Sequence, residues 1–268
     1  VFKIYKNYLL ISPLPYSKIR SVKLVDSYIA SAYNPIISGF QIFDYTSTKV
    51  LKEVIRSGAR YLEFNIFNSK FGKNAIPIVS NGYQKGEWKL TIDNPTFEEC
   101  ITVIADNAFK LDNGIDGVSN PDDPFFIGLN LNTNNNIYCL DLISNILIHY
   151  FENKLLNHKY SFQQSKLANI TLYELKNRIC IMSSDGYQGS RLEELVNFNW
   201  SSTSSTSLIR RLHYSQLEQD NFDIQELKQF NKTGITIITP HKEGDFWSGN
   251  YNPIHAWRAG CQFVCMDY

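Results

Sequence analysis

Histidine is the side chain whose ordinary pKa lies nearest neutral pH, so it is the first type to consider for acid–base work. The histidines to consider are His213, beside Tyr214 and Ser215, and His241, beside Lys242. These groups read either as the wall of a polar pocket or as exposed loop residues. Four carboxylates, Asp112, Asp116, Asp122 and Asp123, gather in one stretch. Carboxylate oxygens suit calcium, but this spacing matches no standard calcium loop, and the stretch reads as turn chemistry. Cys261 and Cys265 have the even separation that puts two residues on one face of a strand, yet no second pair completes a zinc set.

Such groups need a scaffold, and the chain has the makings of one. Eight short apolar runs rich in β-branched and aromatic residues read as strands: 28–32, 61–67, 76–80, 125–131, 179–183, 195–200, 234–239 and 262–268. Helical patterns lie between several of them, at 47–57, 95–109, 137–156 and 207–230. The second has readable punctuation, with Asn94 as cap, Pro95 at the first helical position, and Glu98 and Glu99 near the positive end. Segments 111–123, 132–136 and the Ser/Thr run 201–207 read as loops. Strands alternating with helices argue for a parallel sheet, and the expectation is an α/β chain folded as one (β/α)8 TIM-type barrel over 1–268. In such a barrel the loops that follow strands carry the chemistry.

The balance of 43% hydrophobic and 19% charged residues is that of a folded, soluble protein. Lys plus Arg equals Asp plus Glu at 26 each, so no basic field gathers nucleic acid or anionic lipid, and nucleic acid is not an expected partner. The densest basic clusters, 154–159 and Arg210 with Arg211, read as ordinary solvated helix faces. Five scattered cysteines, mostly in apolar runs, read as reduced core thiols, as in an intracellular reducing compartment or a component of a particle. No apolar run approaches the roughly 20 residues of a transmembrane helix. The start, Val1 to Lys6, lacks a signal-peptide pattern, and because it does not open on methionine, leading targeting information is not accounted for. Abundant Asn, Ile, Lys and Tyr fit an AT-rich source such as a protist or a large virus.

The last stretch is the most specific. Asn250-Tyr251-Asn252-Pro253, a helix carrying Trp257, and Gly260-Cys261-Gln262 closely resemble the end of the catalytic barrel of eukaryotic phosphoinositide-specific phospholipases C. Other segments resemble that family in its own order: Ser31-Ala32-Tyr33-Asn34, then Gly58-Ala59-Arg60-Tyr61-Leu62-Glu63-Phe64-Asn65, Pro77 to Gly82, and Leu192 to Asn197. The resemblance divides the barrel into a first half at 22–150, a connection at 151–178 and a second half at 179–268.

It also implies a chemistry: attack of the inositol 2-hydroxyl on a lipid phosphodiester, served by two histidines and calcium. At the two histidine positions this chain has Tyr33 and Asn81. Asparagine exchanges no proton at neutral pH, and a phenol of pKa about 10 would need a large downward shift to act as a base. The implied calcium ligands are Asn34, Glu63, Asn65 and Asn130, so one carboxylate remains where the family has three. Calcium affinity should fall steeply, and no bound cofactor is expected, with Ca2+ the one ion left open. Glu63 reads equally as a buried carboxylate paired with Arg60 or another base. The implied phosphate-binding basic residues are replaced too, by Met182 and Ser184 and by Thr236 to Pro240, which counts against phosphoinositide headgroup binding.

Three functions follow as expectations. The first is a catalytically inactive homologue kept as a binding or structural module with protein partners in an assembly. The second is a weak or rebuilt phosphoric diester hydrolase, with His213, Ser215, His241 and Lys242 as its polar rim. The third is a component of a particle or coat, which obligate association would reveal.

Overall fold

The computed structural model describes residues 15–37, 39–40, 43–83, 88–162, 167–201, 208–240 and 249–268. His241, Lys242 and most of the Ser/Thr run lie outside them. Eight staves form one parallel sheet: β1 (Ile29–Tyr33), β2 (Tyr61–Asn68), β3 (Phe125–Asn132), β4 (Ile179–Ser183), β5 (Val196–Asn199), β6 (Ile209–His213), β7 (Ile235–Thr239) and β8 (Phe263–Met266). Their order is β5-β4-β3-β2-β1-β8-β7-β6, and every ladder along it is parallel. Among the described residues β5 and β6 share no ladder, so the sheet is a nearly closed eight-stranded barrel with one seam.

Two of the expectations about the staves change. The run 76–80 is not a stave: Pro77–Val79 pairs antiparallel with the end of β2. The eighth stave is instead β6 (Ile209–His213), inside the stretch 207–230 read as helical. Helices there are confined to Tyr214–Leu217 and Ile224–Phe230.

Alternation along each stave divides the apolar residues into two cores. Tyr33, Tyr61, Phe126, Met182, Ile237, Phe263 and Cys265 belong to the cluster inside the barrel. Leu62, Phe64, Ile127 and Leu129 pack with Ile101, Ile104 and Leu140 of the surrounding helices. Leu24, Val25, Leu172 and Leu175 join the inner cluster from segments that precede staves, plugging the N-terminal end. Cys265 is therefore inside the barrel while Cys261 packs on the helix side, so the two do not share a face. All five cysteines are free and buried.

Helices lie where periodicity places them, at Thr48–Arg56, Phe97–Asn107 and Ile137–Phe151. The cap of the second is Thr96, not Asn94: Thr96 and Glu99 form a reciprocal capping box, while Asn94 bonds Thr91. Thr96→Ala should cost about 1 kcal/mol in urea denaturation, and Glu99→Ala should add little to it, because both break the same box.

Candidate active site

Parallel register carries the inward-facing residues of neighbouring staves to the same height. Glu63 stands level with Tyr33 and Gly128, and Asn65 with Asn130, at the C-terminal end where a barrel of this kind carries its chemistry. Tyr33 closes β1, and Asn34 turns the chain with φ at 43°, a left-handed conformation that asparagine tolerates better than most residues. Asn34 N–H donates to the Glu63 carbonyl at 3.2 Å, and Ser80 N–H donates to that of Asn65 at 3.1 Å. Asn81 thereby lies beside the end of β2, its own N–H donating to Thr91 Oγ1.

The four implied calcium positions are brought together, and the three asparagines among them are bonded to one another. Asn130 Nδ2 donates to Asn65 Oδ1 at 2.7 Å, and Asn65 Nδ2 donates to Asn34 Oδ1 at 2.7 Å, with a longer contact of 3.5 Å to Tyr33 Oη. Glu63 is fully buried, and both its oxygens are engaged. Oε1 accepts from Arg211 Nε at 2.9 Å and Nη2 at 2.7 Å, and Oε2 accepts from Tyr61 Oη at 2.8 Å. Burial, and then the adjacent Glu63, push the Tyr61 phenol well above its ordinary range, so it stays protonated and donates. For Arg211 burial acts downward, but Glu63 together with the Tyr33 and Tyr61 phenols outweighs it, and the guanidinium is held charged, above its ordinary range.

Glu63 is thus paired with a base, and the base is not Arg60. Arg60 donates from Nη1 to Ala108 O and lies 5.7 Å from the Phe125 ring, on the helix side; burial lowers its pKa to about 10. Arg210 and Arg211 are not a solvated helix face either. They alternate: Arg210 points outward to Glu226 and the Phe230 ring, and Arg211 inward to Glu63. Nothing in the composition of 209–213 marks Arg211 as inward-facing; only its period-two spacing from Ile209 and His213 does.

At the rim, His213 Nδ1 lies 2.9 Å from Thr239 Oγ1 and its backbone N–H donates to Gln216, while Ser215 is exposed. Met182 is buried among the inner apolar residues, and Ser184 Oγ accepts from Leu131 N–H. The acidic stretch lies at the other end of the barrel. Asp116 pairs with Lys52 and Lys110, Asp122 with Lys176, and Asp112 and Asn113 accept from backbone N–H groups in turns. A cleft of about 640 Å³ at that end is lined by both charge signs, Glu152 and Glu174 with Lys159 and Arg178.

The nearly closed parallel barrel is of the phospholipase C-like class of fold. The family model for phosphatidylinositol-specific phospholipase C, X domain, matches residues 21–184, and the chain belongs to that family. Over 86 residues it is 34% identical to a Drosophila melanogaster 1-phosphatidylinositol 4,5-bisphosphate phosphodiesterase, covering 32% of this chain and 7% of that one. Among solved structures it is similar to PLC21 of S. officinalis (TM-score 0.72, 20% identity, 92% of this chain and 34% of that one). PLC21 of L. pealei is similar to the same degree (TM-score 0.74, 19% identity, 92% and 34%). A calcium-dependent phosphoinositol-specific phospholipase C from Pseudomonas sp. matches over nearly its whole length (TM-score 0.57, 12% identity, 96% and 95%). These identities speak for the fold. The chain spans a small part of its animal relatives, about a third of each PLC21.

The residues present do not fit calcium. Two of the three amide oxygens are spent on neighbouring amides, and the single carboxylate already accepts three hydrogen bonds. Calcium seeks six to eight oxygens with several charges among them. Among the described residues no three His, Cys, Asp or Glu side chains are grouped to hold a metal.

Proposed function

We propose that this chain is a catalytically silent phospholipase C-like barrel, kept as a binding or assembly module. The observation that carries the reading is the amide chain Asn130–Asn65–Asn34. The three asparagines at the implied ligand positions bond each other and Glu63 is taken up by Arg211 and Tyr61, with Tyr33 and Asn81 where proton transfer is needed. Loss of general acid–base help alone is worth roughly a hundred- to ten-thousand-fold, before any loss of charge stabilisation on the phosphate. A binding role draws support from the loops after β1 and β2, where Phe40, Phe43, Tyr45 and Phe71 are exposed.

The test is a phosphodiesterase assay on phosphatidylinositol vesicles and on a generic diester, with calcium and with chelator. The expected result is no turnover above buffer in any arm. Calcium-dependent turnover abolished by Glu63→Ala would sink the reading. Turnover indifferent to calcium and lost in His213→Ala would favour the rebuilt diesterase, because His213 and Thr239 form a polar pair at the rim. Light scattering tests assembly: a monomer that stays monomeric at high concentration argues against self-association as the role.

A further inference from the structure

We infer that Arg211 is the barrel's built-in cation, supplying to Glu63 the positive charge that a divalent ion would otherwise supply and closing the site to metal. The inference does not depend on whether the barrel turns over a substrate. Glu63 is wholly buried, and a buried carboxylate is tolerated only when paired and fully hydrogen-bonded. Arg211 meets both needs from across the barrel, 148 residues away in sequence, with two parallel N–H donors on one oxygen. Tyr61 satisfies the other oxygen. The pair is electroneutral, and its neighbours Tyr61 and Cys265 are held protonated by burial. A divalent ion entering here would have to break all three bonds to Glu63 and sit beside a guanidinium in a low-dielectric interior, with amides for its other ligands.

Geometry adds a second role to the same side chain. β6 is an end stave of the sheet, and among the described residues no ladder joins it to β5 across the seam. The Arg211 guanidinium lies 5.9 Å from the ring of Trp200, the residue that follows β5, and is bonded to β2. One side chain therefore touches both margins of the seam and the opposite wall. A bound ion held by β1, β2 and β3 would tie only neighbouring staves; the arginine ties the two halves of the barrel.

The test uses the full chain, with melting midpoints in chelator and in 10 mM CaCl2, a probe concentration set by the weakness expected of such a site (about millimolar). Wild type is expected to melt at the same temperature in both. A wild-type midpoint raised by calcium overturns the inference. Arg211→Met leaves Glu63 buried without its cation and is expected to melt far below wild type, and to be raised by calcium as wild type is not. An Arg211→Met protein that is indifferent to calcium overturns the exchange of arginine for metal. Should that variant fail to fold, the pair is tested through Glu63→Gln and the double variant Glu63→Gln/Arg211→Met. The double, with both charges gone, is expected to melt above either single variant, and a double at or below the weaker single overturns the assignment.

Discussion

Gly128→Ala is expected to destabilise the barrel by about 3 kcal/mol or more, a large effect for one added methyl group. The reason is local. Gly128 stands level with Glu63 on the neighbouring stave, and a Cβ there would come within 2.8 Å of the Tyr61 ring carbon that bears the hydroxyl. Tyr61 is fully buried, its ring against that of Phe263 at 5.1 Å, so it has no room to retreat. Any shift that relieves the clash draws Tyr61 Oη off Glu63, adding a lost hydrogen bond to a charged acceptor, worth roughly 1.5–3 kcal/mol, to the overpacking cost of about 1–3 kcal/mol. Urea denaturation of Gly128→Ala, Tyr61→Phe and the double variant checks this. Because both single changes act on the same bond, the double should fall short of their sum. A Gly128→Ala protein within about 0.5 kcal/mol of wild type would show that Tyr61 is not pinned as described.

The glycine shows why so much of this interior was hidden in the sequence. Gly128 reads as an ordinary interruption of an apolar run, and only the register of β3 against β2 reveals that its missing side chain makes room for a phenol. The barrel itself was legible, because alternating strand and helix patterns are local and the terminal motif is specific. One stave was not. Ile209-Arg210-Arg211-Leu212-His213 has the period-two pattern of a strand, but two adjacent arginines look solvated until one finds a carboxylate across the barrel. The false stave at 76–80 had the right composition and the wrong surroundings. Only the eight or so residues after β2 separate the two runs, fewer than the dozen or more that a parallel crossover needs, and that shortfall pointed to the antiparallel pairing observed. At the site, the residue types at the implied ligand positions were readable. Their mutual bonding was not, because an amide that ligates and an amide that bonds a neighbouring amide are the same letter.

Retention of the terminal motif beside so altered a site has a physical explanation in Gln262, and the explanation predicts the second large effect. Gln262 is 1% exposed and precedes β8. Its Oε1 accepts from Thr236 N–H at 2.9 Å in β7. Its Nε2 donates to Val25 O at 2.9 Å in the N-terminal plug and lies within 3.3 Å of the Asn231 and Gly234 carbonyls. One amide thus joins plug, helix end and stave, and it does so whether or not anything is catalysed above it. Gln262→Leu strands a buried N–H and the carbonyls it served, and is expected to cost about 3 kcal/mol or more. Gln262→Glu separates the hydrogen bonds from the shape. As a carboxylate it still accepts from Thr236 but donates nothing and sets a charge against buried carbonyls, so its folded-state pKa must lie above the unfolded value of about 4.3. The sign follows from linkage. Below the unfolded pKa both states are protonated and the carboxyl can donate as the amide did; as pH rises through the window up to the folded pKa, the unfolded state ionises first and stability is lost. Urea midpoints at pH 4 and pH 7 should therefore diverge for Gln262→Glu far more than for wild type, with the variant nearer to wild type at pH 4. Parallel pH dependence of the two proteins would mean that Gln262 holds the barrel by packing, not by its amide.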